Sequence, residues 1–533
     1  MGSLYFGDNL FVLRDEIKSE SVDLVYLDPP FNSKRDYNLL FKTPKGHDSD
    51  AQIAAFDDTW HWGEQAEREF AELLHQENTD VSEMIQSLRR FLKESDLMAY
   101  LVMMTNRLLE LHRVLKPTGN LYLHCDPTAS HYLKIVLDAI FTTGYFENEI
   151  IWRRQNAKGL AFTRFASNHD VILKYAKSKD RIWHPQYKEH DPEYLENFYK
   201  FVDPENGRKY RLGDLTNPNK DRPNLTYEFL GVTRVWRWTK ERMQKAYDDG
   251  LVIQSKPGGV PQFKRYLDEQ EGTPIDDIWD DILPIQAQSA ERLGYPTQKP
   301  LALLERIIQS SSNEGDIVLD PFCGCGTAVH AAETLKREWI GIDITHLAIS
   351  LIEKRMKDAF PNISFEIHGT PRDIDGARNL AERDKYQFQW WACSLVNAQP
   401  YQGKKKGSDG GIDGLLFFQD DEKGAKKIIV SVKGGEHVGV TMVKDLIATV
   451  QKENAAIGLF ITLAEPTRPM TTEAVSAGFY HSPKGDVPKI QILTIDDLLS
   501  GKEKPQYFDM SSGVYNFKKA KVEKQKAEQK KLL

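Results

Sequence analysis

The chain has 533 residues, of which 40% are hydrophobic and 11% aromatic, and its formal net charge is −8. This apolar content suffices for large cores and excludes general disorder, while the net charge excludes a uniformly basic coat for nucleic acid. Four cysteines, no apolar run of membrane-spanning length and no signal-peptide pattern predict a soluble, cytoplasmic protein of several domains.

Alternating strands and helices are predicted for the first 150 residues and for the segment just after them. Apolar patterning predicts strands at 22–27, 120–124, 149–153 and 170–175, long helical periodicity over 83–115, and a helix at 129–141. From about residue 184 to 289 this regularity fades, which indicates an insert.

The insert region also differs in charge from the rest of the chain. Between residues 151 and 270 there are 23 Lys and Arg against 16 Asp and Glu, with 18 aromatic residues. A basic, aromatic segment in an acidic protein is a candidate DNA surface, in which Arg and Lys residues and aromatics such as Trp236 and Trp238 are expected to contact bases and phosphates. An ordinary irregular domain could have the same composition, so both interpretations stay open.

Regular alternation resumes at residue 300. The predicted elements are a helix at 301–311, a strand at 316–320, a glycine-rich turn, a helix at 327–335, a strand at 339–344 and a helix at 346–356. This βαβ unit predicts a parallel sheet covered by helices on both faces.

The character of the chain changes again after about residue 375. Helical stretches containing 387–396 precede a Lys- and Gly-rich loop at 403–411, and Lys residues dominate the end of the chain. Between them we predict strands at 412–418, 427–433, 457–462 and 489–495, with a helix at 440–451.

The first chemical motif is DPPF, formed by Asp28, Pro29, Pro30 and Phe31 at the end of the first buried strand. The second is DIVLDPFCGCGT, from Asp316 to Thr327, in which a strand runs into a glycine-rich turn that opens a helix. Such a turn lets the backbone approach a ligand, and the helix N-terminus offers unpaired N–H groups to a carboxylate.

The strand after that helix ends at Asp343, where an acid suits the two hydroxyls of a ribose. Val329 stands where a nicotinamide-type G-x-G-x-x-G would need its third glycine. The pair Cys323 and Cys325 lacks a second ligand pair nearby, which disfavours zinc.

With YPTQKP at residues 295–300, the two motifs resemble those of the β class of DNA amino-methyltransferases, which use S-adenosylmethionine. The resemblance covers about residues 1–375 and implies a Rossmann-like α/β sheet, interrupted by a target-recognition insert. It implies that DPPF holds the target base. It also implies that the cofactor is bound by Asp320, Phe322, Gly324, Gly326, Thr327, Asp343, Thr297, Gln298 and Lys299.

The residue types suit transfer to an exocyclic amine. Asp28 and the Pro29 carbonyl can accept hydrogen bonds from that amine and so direct its lone pair at a methyl group, while Phe31 can stack on an extruded base. No cysteine follows a proline, which excludes carbon-5 cytosine methylation. By resemblance, Asp28 favours adenine N6, with cytosine N4 as the alternative; related NPPY methyltransferases of RNA or protein lack this motif order.

The C-terminal segment resembles the Mrr-like branch of the PD-(D/E)xK nuclease fold over about residues 385–500. The resemblance implies that Asp413 holds Mg²⁺ and that Lys433 polarises a phosphate or water. Ser431 stands where that family has Glu or Gln, so an active nuclease, a DNA- or partner-binding relic and a purely structural domain all stay open. A restriction endonuclease whose methylase half serves mainly recognition is a further alternative.

The expected organisation and partners follow from both resemblances. We expect a protein of a restriction–modification system that binds double-stranded DNA at the nucleoid, with a homodimer or a restriction-system partner left open. The expected domains are a catalytic half at 1–180, a recognition insert at 181–290, a cofactor half at 291–375, a helical connector at 376–402, a smaller α/β nuclease-like domain at 403–505 and a basic tail at 506–533.

Overall fold

The computed structural model describes residues 2–30, 37–42, 48–56, 61–155, 165–286, 289, 291–293, 295, 297–401, 411–421, 424–510 and 523. Phe31, most of the loop predicted at 403–411 and most of the basic tail lie outside these residues. Among the described residues, no helix is both long enough and apolar enough to cross a membrane.

The chain divides into two compact units, Pro185–Asp276 and the remainder. The elements before the smaller unit are β1 (Gly2–Phe6), α1 (Asn9–Asp15), β2 (Val22–Leu27), β3 (Tyr37–Lys42), β4 (Asp48–Phe56), α2 (Glu64–Leu74), α3 (Thr79–Leu92), α4 (Asp96–Val114), β5 (Leu115–Cys125), α5 (Ser130–Phe141), β6 (Phe146–Arg153) and β7 (His169–Ala176).

The helical periodicity predicted over 83–115 belongs to two helices rather than one. Lys93 adopts a φ of 56°, which ends α3, and the Ser95 hydroxyl then caps α4 by accepting a hydrogen bond from the Met98 N–H at 3.2 Å. A left-handed residue followed by a serine cap is a helix stop and start, and periodicity alone does not detect it.

The smaller unit is more regular than its sequence suggested. Its elements are β8 (Tyr187–Lys188), α6 (Pro192–Phe198), β9 (Phe201–Val202), β10 (Lys209–Asp214), β11 (Thr226–Phe229), β12 (Val232–Val235), α7 (Lys240–Asp248), β13 (Val252–Ile253), β14 (Gln262–Tyr266) and β15 (Thr273–Pro274). Strands β13, β14, β10 and β9 form a small sheet in that order. Leu215, Phe229, Trp236 and Met243 are buried together as its core.

The larger unit continues with β16 (Ile278–Trp279), α8 (Leu301–Ser311), β17 (Ile317–Asp320), α9 (Thr327–Thr334), β18 (Glu338–Asp343), α10 (His346–Ala359), β19 (Phe365–His368) and α11 (Ile374–Arg383). Its central sheet has the strand order β16-β6-β7-β5-β2-β17-β18-β1-β19 within the described residues. An α/β fold with a large central sheet is therefore confirmed.

The parallel sheet predicted from the βαβ unit is confirmed for β17 and β18, but the sheet also contains one antiparallel strand that the sequence did not indicate. β7 runs antiparallel to both of its neighbours, β5 and β6, whereas the other pairs in this sheet are parallel. β6 and β7 are consecutive among the described strands of the chain, and they lie side by side in opposite directions.

The C-terminal part forms a smaller α/β domain, as predicted. Its elements are α12 (Lys385–Leu395), β20 (Gln399–Pro400), β21 (Gly414–Phe418), β22 (Lys426–Lys433), α13 (Val440–Lys452), β23 (Ile457–Thr462), α14 (Arg468–Ser476), β24 (Phe479–Ser482), β25 (Gly485–Pro488), β26 (Ile490–Thr494) and α15 (Ile495–Ser500). The sheet order is β20-β21-β22-β23-β26. Helix α14 and the β24–β25 hairpin were not predicted from the sequence.

Candidate active site

Three acidic residues that are far apart in sequence meet at one edge of the central sheet. β2, β17, β18 and β1 are consecutive parallel strands, so their carboxyl ends lie side by side. Asp28 follows β2, Asp320 ends β17 and Asp343 ends β18. The topology therefore places both chemical motifs at the same edge.

A cavity of about 1110 Å³ opens at this edge. The predicted site residues in its wall are Asp28, Pro29, Pro30, Thr297, Gln298, Lys299, Asp320, Phe322, Gly324, Thr327 and Asp343. Gly326 does not line the wall, and it contributes instead to the backbone conformation of the glycine-rich turn. The three sequence motifs thus form a single cavity large enough for a nucleotide-sized ligand.

The glycine-rich turn requires glycine at two positions. Gly324 and Gly326 have φ angles of 48° and 73°, a region that side chains disfavour. A Cβ at Gly326 would lie 2.8 Å from Cγ1 of Ile352, and one at Gly324 would lie 3.3 Å from the Tyr295 ring. This packing holds the turn close to its neighbours, and Gly326 caps the N-terminus of α9.

Asp343 is held beside the glycine-rich turn by hydrogen bonds to its carboxylate. Its carboxylate accepts hydrogen bonds from the Gly324 N–H at 3.0 Å and from the Thr345 N–H and hydroxyl at 2.9 Å each. Burial nevertheless raises the pKa of Asp343 to about 6. The group is therefore an oriented acceptor that ionises close to neutral pH.

Asp320 lies between the other two acids. Burial, followed by the charges of Asp28 and Asp343, raises its pKa well above the usual range, although the Phe322 N–H donates to it at 3.1 Å. Ionising all three carboxyl groups at one edge of a buried site costs free energy, because their charges repel one another and lose hydration. A bound cation or hydrogen-bond donors would relieve this repulsion.

Asp28 is ion-paired with Lys299 of the YPTQKP motif. The side chain of Asp28 is 17% exposed and that of Lys299 is 10% exposed, so the pair faces the cavity from a sheltered position. Beneath it, the Tyr26 hydroxyl lies 3.1 Å from Nδ1 of His124, and Nε2 of that histidine lies 3.2 Å from Asp170. This buried network fixes the strand end that carries Asp28.

Gln298 has a role that the sequence did not indicate. Its side-chain amide donates to the Glu291 carbonyl at 2.7 Å and accepts from the Leu293 N–H at 2.8 Å. Gln298 therefore closes the loop that presents Lys299 to Asp28, in addition to lining the cavity.

Sequence reasoning missed the first strand and the residues after it. Asn9 donates to the Pro321 carbonyl at 2.8 Å and accepts from Nε of Arg107 at 2.6 Å, and Arg107 also pairs with Asp8 at 2.9 Å. All three line the cavity. The sequence did contain a signal for this region, because Asp8 is a helix cap that comes directly after a short apolar strand. The dipeptide Gly7–Asp8 thus resembles the other strand ends that carry an acidic residue.

The predicted nuclease-like residues also come together. The Asp413 carboxylate accepts the Val432 N–H at 2.7 Å and lies 3.4 Å from the Ser431 hydroxyl and 3.5 Å from the Lys433 ammonium. Gln389, which was not predicted, donates to its other oxygen at 3.0 Å. Within the described part of the chain, no group of three His, Cys, Asp or Glu side chains could hold a metal ion.

In the smaller unit, one predicted DNA contact is wrong. Trp236 is fully buried, and its indole N–H donates to the Tyr227 carbonyl at 2.8 Å, so it serves the core. Trp238 is partly exposed, with the Arg242 guanidinium 4.5 Å above its ring. The same unit has an open groove lined by Arg234 and Lys256, which are exposed cations.

Comparison with known proteins matches both parts of the chain. Residues 22–354 match the family model for DNA methylases that act on N6 or N4 amines, and residues 380–499 match the model for a restriction endonuclease of the Mrr type. The chain is 30% identical over 358 residues to the type II methyltransferase M.EcaI of Enterobacter cloacae, covering 66% of this chain and 69% of that protein.

A second relative is the Mod subunit of the type III restriction–modification enzyme StyLTI of Salmonella typhimurium. It is 28% identical over 352 residues, covering 62% of this chain and 50% of that protein. Among solved structures, the cytosine-N4-specific PvuII DNA methyltransferase is similar at 13% identity with a TM-score of 0.32, covering 73% of this chain and 93% of that one.

Proposed function

The chain belongs to the family of DNA methylases that transfer a methyl group from S-adenosylmethionine to adenine N6 or cytosine N4, and on that premise we propose adenine N6 in duplex DNA as its target. The observation that carries the proposal is the single cavity that contains both Asp28 and the glycine-rich turn. The aspartate at the first position of DPPF favours adenine over cytosine by its resemblance to the adenine class.

The residues of the cavity suit the cofactor. Asp343 offers an ionisable acceptor to the hydroxyls of the ribose, and the turn before α9 offers backbone N–H groups to the carboxylate. The acidic edge favours a ligand with net positive charge at its centre. When bound there, S-adenosylmethionine supplies an electrophilic methyl group on a sulfonium.

Asp28 and Pro29 act on the base. The exocyclic amine of adenine is a weak nucleophile because its lone pair is delocalised into the ring. The Asp28 carboxylate and the Pro29 carbonyl accept hydrogen bonds from that amine, which favours a lone pair directed at the methyl group. Lys299 holds the Asp28 carboxylate in position through its ion pair until the base arrives.

The test is methyl transfer with labelled S-adenosylmethionine and duplex DNA of mixed sequence. Digestion of the product to nucleosides distinguishes N6-methyladenine from N4-methylcytosine, and we expect the former. Asp28→Ala should lose transfer while its affinity for the cofactor stays near that of wild type. Methylcytosine would overturn the choice of base, and absence of transfer by folded protein would overturn the enzyme.

We also propose that the insert, predicted at 181–290, reads the DNA sequence, with Arg234 and Lys256 as phosphate contacts. Each phosphate contact that is lost should lower the slope of log affinity against log salt by about one. Arg234→Ala and Lys256→Ala should show this reduction. Arg208→Ala is the matched control, because Arg208 is already paired with Asp268 at 2.7 Å and Glu269 at 2.6 Å.

For the C-terminal domain we propose that any cleavage of DNA is weak, requires Mg²⁺ and depends on Asp413 and Lys433, whose charges meet beside Ser431. The alternative is a relic that binds DNA or a partner, which the lack of a three-residue metal cluster among the described residues favours. A methyltransferase in the same chain would protect host DNA, which suits a restriction–modification system at the nucleoid. A homodimer and a separate restriction subunit are compatible with this proposal. Cleavage of unmethylated plasmid by wild type but not by Asp413→Ala would support it.

A further inference from the structure

Helix α12 lies between the cofactor cavity and the nuclease-like site. Asp384 caps its N-terminus, with a carboxylate that accepts the N–H groups of Tyr386 and Gln387 at 3.0 Å each. This junction separates α12 from α11, and α12 lies within the segment that matches the restriction-endonuclease family. Helix α12 packs against α10 of the methyltransferase part and against β20 and β22 of the C-terminal domain.

One face of α12 belongs to the cavity. Asp384, Gln387 and Trp390 line it together with Asp343 and Thr345. The spacing of three residues places these side chains on one side of a helix. The Gln387 side-chain oxygen also accepts the His346 N–H at 3.2 Å, which ties α12 to the start of α10. The C-terminal domain thus supplies part of the wall of the methyltransferase cavity.

Another face of α12 belongs to the Asp413 site. Gln389 donates to the Asp413 carboxylate at 3.0 Å, and the Cys393 thiol lies 3.5 Å from the Asp413 backbone carbonyl. A Cβ at Gly414 would lie 2.7 Å from the Cys393 sulfur. The helix therefore lies so close to strand β21 that only glycine fits at position 414.

The hydrophobic packing around α12 is continuous between the two domains. A single cluster of buried residues contains Tyr295 and Leu347 of the methyltransferase together with Ile412 and Phe460 of the C-terminal domain, and Trp390 packs against it. A close-packed connection transmits displacement because it has no free volume to absorb it.

We propose that α12 is shared by two sites: through Gln387 and Trp390 it closes the cofactor cavity, and through Gln389 it holds Asp413, so that filling the cavity changes the nuclease-like site. The inference rests on the proposed use of this cavity for S-adenosylmethionine. Trp390 adds an aromatic face to an acidic wall, which suits a ligand that carries a cationic centre. Under this proposal the nuclease-like domain contributes residues to the cofactor cavity of the methyltransferase.

The first test measures binding of S-adenosylmethionine to the full chain by calorimetry without DNA. Trp390→Ala should weaken binding by roughly tenfold, the size expected for a desolvated aromatic contact with a cation. Tyr386→Ala is the matched control, since Tyr386 is an aromatic residue of the same helix that is 56% exposed and outside the cavity wall. Equal affinity of the two variants would overturn the proposal.

The second test follows hydrogen exchange, first in the wild-type protein, where the result does not depend on the folding of any variant, and then in Gln389→Ala. Saturating S-adenosylmethionine should slow exchange in α12 and also in β21 and β22. Gln389→Ala should keep the protection in α12 and lose it in the two strands. Protection confined to the methyltransferase sheet would refute the coupling.

The two tests separate this inference from the proposed function. If wild type fails to bind S-adenosylmethionine at all, the assignment of the cavity is wrong. If wild type binds it while α12 shows no protection and Trp390→Ala binds normally, the cavity is assigned correctly and the shared helix is wrong.

Discussion

Replacing Asp343 with asparagine should weaken cofactor binding and stabilise the ligand-free protein at high pH. The reason is that burial raises the pKa of Asp343 to about 6. The ionised form is the better acceptor for ribose hydroxyls, yet it is the form that burial disfavours. Function and stability therefore place opposite demands on this one side chain.

The size of the effect follows from the shift in pKa. A rise from 3.8 to about 6 corresponds to roughly 3 kcal/mol at most, at about 1.36 kcal/mol for each pKa unit. Because the folded-state pKa is raised, the favourable contribution is fully present below the unfolded value and is lost as the pH rises through about 6. The free energy of unfolding of Asp343→Asn should therefore exceed that of wild type most at pH 8. The weaker hydrogen bonds of the asparagine to Gly324 and Thr345 reduce this advantage.

Two measurements over pH 5 to 8 test this reasoning on wild type and Asp343→Asn. The stability advantage of the variant, from Tm or denaturant unfolding, should shrink by about 1.4 kcal/mol between pH 8 and pH 5. Affinity of wild type for S-adenosylmethionine should fall by about tenfold between pH 8 and pH 5, while that of the variant is weak throughout. Because Asp320 also has a raised pKa, only the difference between the two profiles is assigned to Asp343.

Two results would refute this account of Asp343. A variant that unfolds more easily than wild type at pH 8 would show that the hydrogen bonds of the carboxylate outweigh its burial. Affinity of wild type that stays constant from pH 8 to pH 5 would show that the ionised carboxylate is not what the ligand contacts.

Three other substitutions have expected outcomes. Gly326→Ala should lower the free energy of unfolding by about 1–3 kcal/mol, through its left-handed φ and the contact with Ile352, whereas Gly63→Ala, with open space around its Cβ, should not. Lys299→Met should reduce kcat for methyl transfer more than it reduces cofactor affinity, with partial rescue by Lys299→Arg; an unchanged kcat would remove Lys299 from the proposed mechanism. Asp413→Ala should abolish Mg²⁺-dependent plasmid cleavage without changing methyl transfer, and cleavage that persists would place the nuclease elsewhere.

The alternation of strands and helices was readable from the sequence because it depends on local periodicity. β2 and β23 were predicted with the bounds that the structure has, and α8 begins and ends where its apolar pattern does. The two chemical motifs were readable for a related reason, since an acid or a glycine directly after a buried strand is a local pattern. The boundary between α3 and α4 was missed because a single left-handed residue at Lys93 leaves the periodicity intact.

The sequence by itself thus determined the fold class and the two strand-end motifs, since each depends on neighbouring residues. Only the tertiary structure decided that Lys299 pairs with Asp28 across 271 positions of the chain. Only the tertiary structure showed that Trp236, which the composition of the insert had suggested for the DNA surface, is buried. It alone brought Trp390 of the C-terminal domain to the cofactor cavity. Strand order and packing between domains bring such residues together, and neither produces a periodic pattern in the sequence.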